Sequence, residues 1–208
     1  RQRQMCIRDR TTTEKNITEG AGLAGATIEL VTVEAFAEAV DKFIAGECDI
    51  ITTDGSALVG RRAVNDALND WVIFPTSPIS KEPLGPTYRS NDSTWADVVN
   101  WTVYATIIAD EYGVTSANVD SVDTDALPEL GRLFGANDGE LQTKMGLDAK
   151  AFYNVIKQVG NYDQIYSRNL NPLGLFREGG ANDRWTNGGL IYAPPARLFN
   201  YLFKCKRG

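Results

Sequence analysis

The sequence predicts an α/β fold in which a lobe with a parallel-rich sheet is followed by a mainly helical C-terminal part. Three observations carry that prediction. Strand-like and helix-like stretches alternate between residues 26 and 75 with connections of a few residues, the pattern of parallel strands joined by right-handed crossovers. The stretch "SPISKEPLGPTYRS" (77–90), with its prolines and glycine, then reads as an extended crossing segment. Beyond it, apolar residues recur at helical spacing without a convincing second sheet.

Taken in order, "RQRQMCIRDR" has neither amphipathic spacing nor turn chemistry, and it is similar to translated sequencing-adapter read-through. Residues 1–10 are therefore set aside as an artefactual leader, and the chain is read as a fragment whose true start lies upstream. "TTTE" (11–14) fits a capping box and opens a weakly apolar helix reaching about Ala24. "ATIELVTV" (26–33) reads as a strand. Val33, Phe36, Ala37, Val40, Phe43 and Ile44 then make the apolar stripe of a helix that stops at Gly46. "CDIITT" is a short β-branched strand, Gly55 to about Asn65 a helix, and "WVIFP" (71–75) a strand closed by its proline. A lobe boundary falls near Tyr88, giving an α/β lobe over 11–88 and a helical part over 89–208.

In the second part, Trp95, Val98, Val99, Thr102, Val103 and Ile107 form one face of a long helix that "SNDS" can cap. Shorter helices are expected at about 115–122, 127–134, 149–159 and 161–168. Trp95, Trp101 and Trp185 read as packing residues.

Composition removes several function classes. With 21 Lys and Arg against 27 Asp and Glu, the formal charge is −6, which does not suggest a nucleic-acid partner. The absence of histidine removes the usual triads, histidine general bases and most zinc sites. No apolar run approaches the ~20 residues that span a bilayer. Cys6, Cys48 and Cys205 have no metal-ligand spacing, and no P-loop or GxGxxG fingerprint supports nucleotide binding. No cofactor or metal is expected.

Two local features can carry binding chemistry. Asp54 stands where a strand ends and a helix begins. It can be a plain N-cap, or it can face the ligand crevice beyond a parallel sheet and pair with a cation such as an ammonium. Thr11, Thr12 and Thr13 open a helix whose free amides can either be capped internally or hold a carboxylate or phosphate. Read together in their functional sense, the two would suit a zwitterion.

The phrases "TTTE", "GECDIITTDGSAL", "ISKEPLGP", "NWTVYATIIADEYGVTSANVD", "IKQVGNYDQIYSRN" and "WTNGGLIYAPP" occur in that order from about Thr11 to Pro195. In this the chain closely resembles the general L-amino-acid substrate-binding proteins of bacterial ABC importers, a branch of the type II periplasmic binding proteins. The resemblance implies a monomeric, non-enzymatic periplasmic receptor that closes two α/β lobes on an L-amino acid and delivers it to an ABC permease. It also implies that Thr11 and Thr12, with Thr13 beside them, hold the ligand's carboxylate, and that Asp54 holds its ammonium. Arg10 stands where the family has glycine, and Lys15 where it usually has an apolar residue. Cys6 falls in register with a cysteine that can pair with the one matching Cys48. The resemblance further implies an upstream first lobe bearing a carboxylate-clamping arginine, so the 208-residue chain alone is expected to bind amino acids poorly. The rival readings are a dehydratase-like enzyme on the same fold, using Asp54 or Glu82 as acid or base, and a ligand-sensing module.

Overall fold

The computed structural model describes residues 3–67, 70–75, 78–81, 83–136 and 139–196. The chain divides into two compact units, one running to Gly85 with Leu173–Leu175, the other comprising Pro86–Pro172 and the chain from Phe176 onward.

The first unit is built on strands β1 (Arg3–Arg8), β2 (Ile28–Val33) and β3 (Ile50–Ile51), all parallel, in the order β2-β1-β3. Helix α1 (Thr12–Leu23) connects β1 to β2, α2 (Phe36–Ile44) connects β2 to β3, and α3 (Gly55–Asn65) follows β3. β1, which lies in the stretch set aside as leader, is thus the middle strand. Met5, Cys6 and Ile7 are consecutive buried residues, as expected of a parallel strand covered on both faces. Flanking charges at Arg3, Arg8 and Asp9 hide this three-residue run in the sequence.

Helix α2 forms where its spacing predicts and buries Val40, but Ala37 and Ile44 of the expected stripe are exposed and Ala39 is buried instead; the chain then turns at Gly46 with φ 74°. Residues 71–75 form no strand, contrary to the sequence reading. The Trp71 amide donates to Asp66 Oδ2 at 3.0 Å, and its ring packs edge-on against Phe43 with centroids 4.9 Å apart. Local capping and aromatic packing therefore replace pairing with the sheet.

In the second unit, Asp92 caps α4 (Ser93–Glu111), its Oδ1 accepting from the Trp95 amide at 2.9 Å. The remaining helices are α5 (Pro128–Leu133), α6 (Glu140–Lys144), α7 (Ala151–Val159) and α8 (Tyr162–Leu170). The helix expected at 115–122 is only a 3₁₀ turn over Val119–Ser121, and α6 was not foreseen. Ile108, Leu130, Leu133, Phe152 and Ile156 form the centre of the core. From Ala105 to Asp110 every residue of α4 is buried, so this half of the helix is covered all round and not on one face as its stripe suggested. Trp95 and Trp185 are both 53% exposed, whereas Trp101 packs on the core, so only the last of the three matches its forecast.

Asp110 brings a charge into that core. Arg177 Nη2 donates to Asp110 Oδ2 at 2.5 Å, its Nη1 to Asp163 Oδ1 at 3.0 Å, and its Nε to the Asn182 carbonyl at 2.6 Å. The guanidinium also lies over the Tyr162 ring, 4.9 Å from its centroid. Burial opposes the charge on Arg177, but the two carboxylates outweigh it and raise its pKa further. Arg184 Nε approaches Asp110 Oδ1 at 3.2 Å without the alignment of a hydrogen bond.

The "WTNGG" phrase forms a tight loop. Asp183 accepts from the amides of Gly179 at 3.0 Å and Arg184 at 2.8 Å, and these bonds hold its carboxyl below the usual range. A Cβ at Gly189 would lie 2.0 Å from the Asp183 carbonyl oxygen, so only glycine fits there. Residues 197–208, with Cys205, lie outside the described residues. Among the described residues no helix is long and apolar enough to cross a membrane.

Candidate ligand-binding edge of the sheet

The strand order places the sequence-predicted site. From β1 the chain moves to one side to form β2, then crosses back over β1 to form β3 on the other. With right-handed crossovers in opposite directions, α1 and α2 fall on opposite faces of the sheet. The crevice where the direction reverses lies beyond the carboxyl ends of β1 and β3, and that is where open α/β sheets take ligands. Thr11–Thr13 follow the end of β1, and Asp54 follows the end of β3. The fold therefore brings all four predicted residues to one edge of two neighbouring strands.

At the β1 end, Thr11 is the N-cap of α1. Its Oγ1 accepts from the Glu14 amide at 3.3 Å and donates to the Arg8 carbonyl at 2.9 Å. The expected capping box is shifted, because the Glu14 carboxylate accepts from the Arg10 amide at 2.7 Å and reaches one residue beyond the cap. Thr12 is exposed and Thr13 half-buried. Their amides belong to the first turn and so take no partner from within the helix. The side chain of Thr11 is thus committed to the cap, while the helix's positive end remains open to an anion.

Arg10 has φ 52°, a left-handed conformation that glycine adopts at no steric cost. Its contact with Asp9 at 3.0 Å is largely exposed and offsets little. Arg10→Gly is expected to stabilise the protein by up to about 1 kcal/mol, read as a higher urea midpoint at unchanged slope.

At the β3 end, Asp54 occupies the N-cap position of α3 but makes no side-chain capping bond. It is half-buried beside half-buried Thr52 and Thr53. The plain capping reading of Asp54, in which its carboxylate accepts from the leading amides of α3, is therefore not realised. Glu82, the other acid considered, lies outside the described residues.

A covalent bond ties the two strands that lead to these ends. Cys6 and Cys48 form a disulfide with Cα atoms 5.7 Å apart, as the resemblance implied, and they sit in a small buried cluster with Val33 and Ala39. Spacing alone could not identify the pair, because one partner lay in the stretch taken as leader.

No family profile matches the chain. It is 41% identical over 197 residues to the glutamate/glutamine/aspartate/asparagine-binding protein BztA of Rhodobacter capsulatus, a match covering 93% of this chain and 57% of that protein. It is 40% identical, with the same coverage, to the general L-amino acid-binding periplasmic protein AapJ of Rhizobium johnstonii. Among solved structures, a periplasmic binding protein of an ABC transporter from Brucella ovis with glutathione bound matches at 40% identity and TM-score 0.87. That match covers 94% of this chain and 61% of the other. The chain thus spans a little over half the length of the curated relatives it matches. Over nearly all of its own length, it is a homologue of the periplasmic amino-acid-binding proteins of ABC transporters and has the α/β fold of a periplasmic binding protein.

Proposed function

We propose that the chain forms part of a monomeric periplasmic solute receptor that captures L-amino acids between two lobes and delivers them to an ABC permease without turnover. Thr11, Thr12 and Thr13 contact the ligand's α-carboxylate through the leading turn of α1, and Asp54 contacts its α-ammonium. The observation that carries this reading is the convergence of an open helix N-terminus and an uncapped carboxylate on one sheet edge, at the switch between β1 and β3. Opposite partial charges at that edge match the two charges every α-amino acid shares, whatever its side chain.

The names of the relatives support an amino-acid ligand and the periplasm. So does the disulfide, since such bonds persist in oxidising compartments. Capture acts by population shift, with the ligand favouring the closed state by bridging the two lobes.

Calorimetric titration of the full-length protein tests the reading, with L-glutamate as probe. Binding of L-glutamate is expected, with at least tenfold loss for glutarate, which lacks the ammonium, and for 4-aminobutyrate, which lacks the α-carboxylate. Equal affinity for all three would overturn the zwitterion reading.

A further inference from the structure

β3 is held unevenly. Six residue pairs join β1 to β2, but only Met5↔Ile50 and Cys6↔Ile51 join β1 to β3. β3 is the outer strand of the sheet among the described residues, with no second neighbour to fix its register. So short a ladder is a weak restraint, and low local restraint is where a fold opens first.

The remaining restraints gather just before β3. The Asp49 amide donates to the Gln4 carbonyl at 2.9 Å, and the Gln4 amide donates to Asp49 Oδ2 at 3.2 Å. Next to them is the Cys6–Cys48 bond, whose residues are 0% and 4% exposed. Val33 and Ala39 complete the buried cluster around it, with half-buried Val31, Phe36 and Ile51 packed against it, so the apolar packing here is a small cluster that the covalent bond reinforces. Asp54 comes three residues after the last pair, and its side chain is not anchored to α3.

We propose that Cys48, through its bond to Cys6, is a positioning residue for Asp54. The covalent link substitutes for the missing ladder and sets β3 against β1. The carboxylate on one strand end then stands in fixed relation to the helix amides on the other. Without the link, β3 and the turn carrying Asp54 come loose while the β1–β2 pairing persists. The ligand-binding part of this inference rests on the amino-acid reading above; the structural part does not.

The test uses the full-length protein with Cys6→Ala and Cys48→Ala combined, so that neither partner of the bond is left as an unpaired thiol, and a second variant pairing Cys6→Val with Cys48→Ala to retain apolar volume. Amide exchange of residues 49–54 is expected to rise at least tenfold, with residues 28–33 unchanged. Affinity for L-glutamate is expected to fall by roughly tenfold or more while affinity for glutarate holds, so that the preference for the ammonium-bearing ligand collapses. Unchanged exchange at 49–54 would overturn the inference. So would loss of protection throughout the sheet in both variants, because the bond would then be a global staple, and so would a parallel loss of both ligands. If the parent protein already fails to prefer L-glutamate, the amino-acid reading falls, and the exchange arm still decides whether the bond positions the turn.

Discussion

Asp54→Ala in the full-length protein is expected to weaken L-glutamate binding by roughly thirty-fold to several thousand-fold, equivalent to about 2–5 kcal/mol. That range is the loss seen when one member of an enclosed, hydrogen-bonded charge pair is removed and the other is left without its counter-charge. The effect should fall on the complex and not on the fold. An N-cap carboxylate replaced by alanine ordinarily costs about 1 kcal/mol of stability, but Asp54 makes no capping bond to α3, so that loss has no source here. Denaturant midpoints should therefore stay within about 0.5 kcal/mol of the parent while calorimetry records the lost affinity. Asp41→Ala, at an exposed position on α2, is the matched control and should change neither. If Asp54→Ala destabilises the protein and leaves binding intact, the carboxylate is structural and the assignment fails.

The largest stability effect is expected at Asp110. Its side chain is 1% exposed and that of Arg177 is 4% exposed, so water screens their contact very little. Asp110→Ala leaves the Arg177 guanidinium in the interior with Asp163 and the Asn182 carbonyl as its hydrogen-bond partners and the Tyr162 ring beneath it. A cost of about 3–5 kcal/mol follows from stranding a buried charge, measurable by guanidinium unfolding followed through tryptophan fluorescence. The pair itself is worth less than this loss, because both ions were taken out of water to form it. Replacing both at once, Asp110→Leu with Arg177→Met, should therefore recover much of the stability lost in the single variant. A double variant as unstable as Asp110→Ala would instead mean that the charges contribute strongly as a pair.

What could be read from the sequence was local. The position of α2, the extent of α3, the Asp92 cap and the strand–Asp–helix junction at residue 54 all depend on neighbours within a few positions, and the fold left them unchanged. β1 was lost because Met5, Cys6 and Ile7 are too short a run to stand out among charges; their burial comes from β2, α2 and β3, which lie far along the chain. Residues 71–75 failed in the opposite way. They have the composition of a strand, but Asp66 and Phe43 supply other partners for Trp71. Asp110 gave no signal either, since one acid near the end of an apolar helix reads as its solvent side until Arg177 arrives from 67 residues away. The candidate site was half visible. Each of its two ends was evident in the sequence, but that they leave adjacent strands is a property of the order β2-β1-β3.

That order also bears on how the chain fails. Among the described residues, the side of β1 turned toward β3 has no strand partner past Cys6, so detachment of the short outer strand would bare a longer row of main-chain donors and acceptors. Such a row, carrying Met5, Cys6 and Ile7, is a template on which a second molecule could build cross-chain β-structure. Arg8, Asp9 and Arg10 follow directly, and their charges act as gatekeepers against that stacking. The residues that obscure this strand from a reader of the sequence thus also help keep partly opened molecules in solution.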